Sequence, residues 1–207
     1  MKKINRRTEP DFWIEYKRLH PNHSYMDLDK SRQGRETRKD LRNYLLRSQY
    51  GLCAYCCRSI GIEDSLNEHI KPQAKYPKQT MEYENIIVSC RSEGSTLTCG
   101  SKKANEYDEA LFVSPLEACE GHFIFYPNGQ IEGTGERGQY TCDLLNLNAY
   151  ELQRARRTQY KICADYQNAE LVHTYFLTPD EEGKQESFAD MIQYFYERGD
   201  FGISDSE

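Results

Sequence analysis

The chain has 207 residues, of which 38% are hydrophobic and 29% charged, with a formal net charge of −6. That length supports one domain with appendages or two small ones; no apolar run approaches a membrane span, and no signal-peptide core leads the chain. Eight cysteines would suit a secreted disulfide scaffold, but that reading needs a secretory context, so the expectation is a cytoplasmic protein with a metal site and spare thiols. The charge is unevenly spread: residues 1–50 carry 13 Lys/Arg against 7 Asp/Glu, whereas residues 106–207 carry 7 against 20. The basic end suits phosphate tracking. The acidic end is either a solvated face or a surface for a basic partner.

In chain order, the first element is an irregular basic arm with Lys2, Lys3, Arg6 and Arg7, punctuated by Pro10 and followed by Phe12, Trp13 and Tyr16. Basic residues interleaved with aromatics bind nucleic acid by phosphate contact and stacking; equally, the aromatics could anchor the arm in a groove on a partner. His20 and His23 sit in a Pro-Asn-rich loop as bystanders. The spacing of Leu41, Tyr44, Leu45 and Ser48 predicts a helix over 37–49, which Gly51 ends. A hairpin or zinc ribbon is expected over 52–62, a strand over 67–70, a loop over 74–84, a short buried strand or turn over 85–88 and a helix over 100–110. Further on, Phe123-Ile-Phe-Tyr126 with Asn128-Gly129 signals strand-turn-strand. Leu152, Ala155, Ile162 and Tyr166 mark a helix, and Ser187 opens a last one bearing Phe188, Met191, Ile192 and Phe195. His122 and His173 lie among apolar, strand-like residues and read as structural; Cys119, Cys142 and Cys163 are assigned to packing. The tail over 200–207 is expected to fray.

The chemistry concentrates between Cys53 and Lys103. Cys53 and Cys56 form a two-residue knuckle, and Cys90 and Cys99 form a second with a wider gap. Two close thiol pairs separated by a loop suit a tetrahedral structural zinc. Buried packing thiols and a redox dithiol are the competing readings, and Cys57 competes with Cys56 as a ligand. Between the pairs stands Glu68-His69. A near-neutral histidine can deprotonate water, and a neighbouring carboxylate can hold a hard cation. Alternation along a strand sends the two side chains to opposite faces, although at a strand end, which Lys71-Pro72 marks, both can border one cleft.

The run Cys-x-x-Cys, Glu68-His69-Ile70-x-Pro72, Asn85-Ile86, Cys90, Cys99-Gly100-x-x-Lys103 resembles the HNH endonucleases of ββα-metal (His-Me finger) fold. The longer pattern, including Arg6-Arg7-Thr8-Glu9-Pro10, residues 45–53 and Leu144-Leu145-Asn146-Leu147-Asn148, is similar to the PtuB family of HNH subunits from Septu-type and retron-associated phage-defence systems. The resemblance implies His69 as general base, Glu68 as the acidic ligand of a catalytic Mg2+ or other divalent cation, Asn85 as the brace of the histidine loop, and Cys53, Cys56, Cys90 and Cys99 as zinc ligands. It also implies a PtuA-type ATPase partner, toward which the aromatic arm would dock, and, in a retron setting, a reverse transcriptase and its msDNA. One departure stands out: zinc-bearing members often carry asparagine at the position of Gly100 as a cation ligand. Asn105, one helical turn on, or water would have to substitute. Lys71, Lys102 and Lys103 are assigned to substrate phosphate.

The expected architecture is thus α+β: a ββα-metal core over 51–107 stapled by a four-cysteine zinc site, a basic arm and helix over 1–50, and an acidic hairpin and helical region over 108–207. The expected function is phosphodiester hydrolysis of DNA or of an RNA such as tRNA, with no membrane partner. A zinc-stabilised nucleic-acid-binding adaptor without catalysis is the alternative, motivated by Gly100.

Overall fold

The computed structural model describes residues 1–94 and 96–202; the part of the frayed-tail expectation that concerns 203–207 lies outside them. The fold is α+β, with two separate two-stranded antiparallel sheets surrounded by helices. The first sheet pairs β1 (Ser65–His69) with β2 (Ile86–Cys90), with Glu68 opposite Ile87 and His69 opposite Ile86. β2 is buried at every position, as a β-branched Ile-Ile-Val run favours. Its outer edge is not left open. The Gln49 side chain accepts from Val88 N–H and donates to Val88 C=O, both at 2.8 Å, and Ala54 N–H donates to the same carbonyl at 3.0 Å. The short helix α3 (Cys99–Lys103) follows β2 and packs against it.

Helix α2 (Arg32–Ser48) lies against this sheet and buries Leu41 and Leu45. It begins five residues earlier than the apolar spacing indicates because Ser31 caps it, its hydroxyl accepting from Gly34 N–H at 2.9 Å. Gly51, at φ +71°, carries the chain out of the helix. A Cβ at Gly34 would lie 2.3 Å from the Leu28 carbonyl, so the helix sits directly on the preceding 3-10 turn, Tyr25–Lys30.

The N-terminal arm is not irregular past Pro10: α1 spans Asp11–Leu19. Trp13 and Tyr16, read as anchors for nucleic acid or a partner, are instead buried in the protein's own core, and Trp13 Nε1 donates to Met81 C=O at 3.3 Å. Phe12, 39% exposed, packs edge-on against Tyr44. The first residues are interwoven with the rest. Ile4 N–H donates to Pro115 C=O at 2.8 Å, and the Arg6 guanidinium, buried over the Tyr83 ring, donates to the carbonyls of Tyr83 and Ile86.

In the C-terminal half, β3 (Phe123–Phe125) and β4 (Ile131–Gly133) form the hairpin, with Gly129 at φ +88° in its loop. Helices α4 (Gly135–Leu144), α5 (Tyr150–Asp165), α6 (Ala169–Val172) and α7 (Ala189–Glu197) follow. His173 lies in an exposed helical turn, His173–Leu177, rather than among strand residues. The last helix starts after Phe188, which takes a left-handed φ of 63°; Ser187 does not cap it, and its hydroxyl accepts from Ser59 N–H at 2.9 Å. Contacts cross both expected boundaries: Gln185 N–H reaches Tyr50 C=O and Cys99 N–H reaches Leu145 C=O. Cys119, Cys142 and Cys163 are buried and unpaired. Among the described residues no helix is long and apolar enough to cross a membrane.

Candidate active site and zinc cluster

Cys53 and Cys56 from the loop after α2, Cys90 from the end of β2 and Cys99 from the start of α3 converge, with all four sulfurs within 4.8 Å of one another and buried. A zinc ion about 2.3 Å from each of four tetrahedral sulfurs would set them about 3.8 Å apart; Cys56 and Cys90 Sγ stand at 3.9 Å. The four therefore fit a metal ion such as zinc. The first knuckle is closed by Cys53 N–H to Arg58 C=O at 2.9 Å and Cys57 N–H to Cys53 C=O at 3.0 Å. Cys90 N–H donates to Cys53 Sγ at 3.3 Å, a bond that favours the thiolate. Cys57 is not in the cluster; its thiol lies toward Asp190, and burial pushes its pKa up. The second knuckle is held from outside, by Leu145 C=O accepting from Cys99 N–H at 2.8 Å and by Asn146 Nδ2 donating to Leu97 C=O at 2.9 Å.

Each knuckle also delivers one side chain to Glu68. From the first, Tyr55 O–H donates to Glu68 Oε1 at 3.3 Å; from the second, Lys103 Nζ reaches the same oxygen at 2.8 Å. Lys103 is 0% exposed and also donates to the His69 carbonyl at 3.0 Å. Expected at phosphate, Lys103 is instead a buried tie between the second knuckle and the end of β1. Burial raises the Glu68 pKa, and Lys103 opposes that shift. Glu68 Oε2 makes no hydrogen bond among the described residues, and the side chain keeps 11% of its exposure. This oxygen lies over Gly100, where a Cβ would come within 2.7 Å of it. Gly100 is thus the residue that leaves room for the Glu68 carboxylate.

His69 ends β1 and is 5% exposed. Its Nε2 lies 2.9 Å from Thr80 C=O. A carbonyl only accepts, so the proton sits on Nε2 and Nδ1 keeps a lone pair. Nδ1 makes no hydrogen bond among the described residues and is not among the side-chain nitrogens cut off from solvent. The ring meets Tyr25 edge-on at 4.6 Å. Burial holds its pKa below the ordinary histidine range; the Thr80 carbonyl opposes this and the Lys103 charge adds to it. Asn85 spans the loop between the two groups. Its Oδ1 accepts from Lys71 N–H at 2.8 Å, and its Nδ2 donates to the carbonyls of Lys71 and Gln79 at 3.1 Å each. Asn85 therefore ties the residue after His69-Ile70 to the residue before Thr80.

The remaining assigned residues do not join this centre. Helix α3 ends at Lys103 because Ala104 turns to φ 46°, so Asn105 is not on a next helical turn but exposed beyond it. Lys71 pairs with Glu109 and lies over the Tyr76 ring. Lys102 is exposed, with no carboxylate partner among the described residues. Sequence reasoning missed Tyr55, Thr80 and the supporting role of Lys103. Only Tyr55, lying inside the Cys53–Cys56 knuckle, and Lys103, four residues after Cys99, carried any signal of position.

No family model matches the chain. Two curated relatives do. A protein of Vibrio cholerae serotype O1 biovar El Tor named "Retron Vc95 putative HNH endonuclease" is 34% identical over 134 residues, covering 59% of this chain and 64% of the relative. One of Escherichia coli named "Retron Ec83 putative HNH endonuclease" is 25% identical over 225 aligned positions, covering 86% of this chain and 87% of the relative. The chain thus spans slightly under two thirds of the first of them. Both names support the HNH endonuclease family for this chain.

Proposed function

We propose that the protein is an HNH endonuclease that hydrolyses phosphodiester bonds of nucleic acid, and that it serves as the effector of a phage-defence complex under the control of a PtuA-type ATPase. The observation that carries the reading is the imidazole of His69, fixed by Thr80 C=O in the tautomer that leaves Nδ1 basic. Nδ1 takes a proton from water, the resulting hydroxide forms a bond to phosphorus, and the bond from phosphorus to the leaving oxygen breaks; that oxygen takes a proton from solvent water, and the imidazolium returns its proton to solvent. Lys103 holds the carbonyl of His69 itself, and Asn85 holds the loop from Lys71 to Gln79 that follows this base. Glu68 Oε2, with waters and a substrate phosphate oxygen, would hold a divalent cation, which supplies Lewis-acid charge at the scissile phosphate. The retron names of the two relatives favour a defence setting with a reverse transcriptase and its msDNA nearby.

The adaptor reading has one observation on its side: Glu68 already spends Oε1 on Lys103, and Asn105 stands apart, so a single protein oxygen faces the cation. Cleavage separates the two. The intact chain, given labelled single-stranded DNA, duplex DNA and RNA with Mg2+ or Mn2+, is expected to cut at least one of them; binding without cutting under every cation would establish the adaptor. The pH profile adds a second readout. The active form is the neutral imidazole, and burial lowers its pKa, so kcat/KM should stay on its plateau as pH falls through about 6.5, the ordinary histidine value, and drop only below it. A rate that climbs only above pH 7 contradicts His69 as the base.

A further inference from the structure

Helix α2 carries six Lys/Arg against two Asp/Glu within Arg32–Ser48. Arg35, Arg38, Lys39 and Arg42 fall at i, i+3, i+4 and i+7, the spacing of one helix face, while Leu41 and Leu45 face the core. With Ile62 and Glu63 these four line a surface depression of ≈ 210 Å³. Their charges are incompletely matched. Arg38 pairs with Asp29 at 2.6 Å, but Lys39 and Glu63 stand 3.9 Å apart and are both exposed, a pair of little consequence. Arg35 and Arg42 have no carboxylate partner among the described residues.

Arg42 is also held in place. Its Nε donates to Asn67 Oδ1 at 3.0 Å and its Nη1 to Ile62 C=O at 3.1 Å. Half-buried, it has its pKa lowered chiefly by burial, opposed by Tyr25, with Arg38 and Arg91 adding like charge. A rigid guanidinium crowded by two cations is prepared for an anion. Asn67 links this face to the imidazole: it precedes His69 by two residues on β1 and so shares its face, about 7 Å away along the strand. Asn67 Nδ2 donates to the Tyr25 hydroxyl at 2.6 Å, and the Tyr25 ring is the one that packs on His69.

We propose that the face of α2 bearing Arg35, Lys39 and Arg42, with Arg38 and Arg91 beside it, is the track along which the phosphodiester backbone of the substrate reaches His69. The inference rests on the nuclease reading and adds the path of the strand. Arg42 touches Asn67, and the roughly 7 Å from Asn67 to His69 along β1 is of the order of the separation of neighbouring phosphates on one strand, so a phosphate at His69 sets a neighbour near Arg42. Planar guanidinium forks match phosphate oxygens, and closeness to the imidazole favours nucleic acid over an acidic protein as occupant.

The test uses the intact 207-residue chain carrying His69→Ala, to record binding without cleavage. Fluorescence anisotropy with labelled single-stranded and duplex DNA and RNA is measured from 50 to 200 mM salt. Arg35→Gln/Lys39→Gln changes two exposed helix residues, and circular dichroism checks its fold. This pair should weaken binding about tenfold near 0.1 M salt and flatten the log K against log[salt] slope by about 1.4 on single strands or 1.8 on duplex, as loss of two phosphate contacts requires. Arg154→Gln/Arg157→Gln, exposed on α5, should leave the slope unchanged. An unaltered slope in the α2 pair, or an equal change in both pairs, overturns the track. So does loss of an acidic protein partner with nucleic-acid binding intact. If the His-intact chain neither binds nor cuts any substrate, the nuclease reading falls first; if it cuts while the α2 pair binds normally, only the track falls.

Discussion

Cys90→Ser, or removal of metal by a strong chelator, is expected to unfold the β1–β2–α3 region rather than merely slow a reaction. The four thiols are gathered from residues 53 to 99, and besides them the two knuckles are joined, among the described residues, only by a few hydrogen bonds, including Ala54 N–H to Val88 C=O and the meeting of Tyr55 and Lys103 on Glu68. Structural zinc contributes about 10–16 kcal/mol in small zinc-dependent folds, which matches or exceeds the roughly 5–15 kcal/mol by which a whole domain is stable. The purified chain should carry one zinc per molecule by elemental analysis, and Cys90→Ser should lose both the zinc and the cooperative melt. Cys57→Ser is the control, because Cys57 stands outside the cluster; its zinc content should match the parent. Stoichiometric zinc and a normal melt in Cys90→Ser would contradict the cluster.

Lys103→Met should cost about 3–5 kcal/mol, the range for removing one partner of a buried ion pair. It would leave the Glu68 carboxylate facing only Tyr55 and release the His69 carbonyl. Glu68→Gln/Lys103→Met should recover part of that loss, since the double change leaves no buried charge. The comparison is made by denaturant melts of the zinc-loaded proteins. A Lys103→Met variant within about 1 kcal/mol of the parent would show that Lys103 does not hold the end of β1. Because Tyr55 and Lys103 come from opposite knuckles, they convey the geometry of the four-cysteine cluster to Glu68, and Lys103 conveys it to His69 as well.

How much of this could be read in the residues follows from the range of each interaction. The thiol spacing and the Ile-Ile-Val run are local, and the cysteine cluster and β2 stand where such patterns put them. Lys103 is different. Lysine is rarely buried, and its position here depends on Glu68 and Tyr55, 35 and 48 residues earlier in the chain. Trp13 and Tyr16 advertise a groove without saying whose it is, and the groove turns out to be internal, between Met81 and Tyr25. The helix expected over 100–110 stops at Lys103, since no side-chain pattern foretells the positive φ of Ala104. Gly100, read as a missing ligand, has a steric meaning visible only once Glu68 Oε2 is placed above it.

In the proposed reaction Nδ1 of His69 removes the proton from the attacking water. His69→Ala, compared with the parent on the same labelled substrate at saturating cation, should lower the cleavage rate by about 10²–10⁴-fold while zinc content and substrate affinity stay unchanged. Cleavage at the parental rate by a zinc-loaded, folded His69→Ala chain would contradict it.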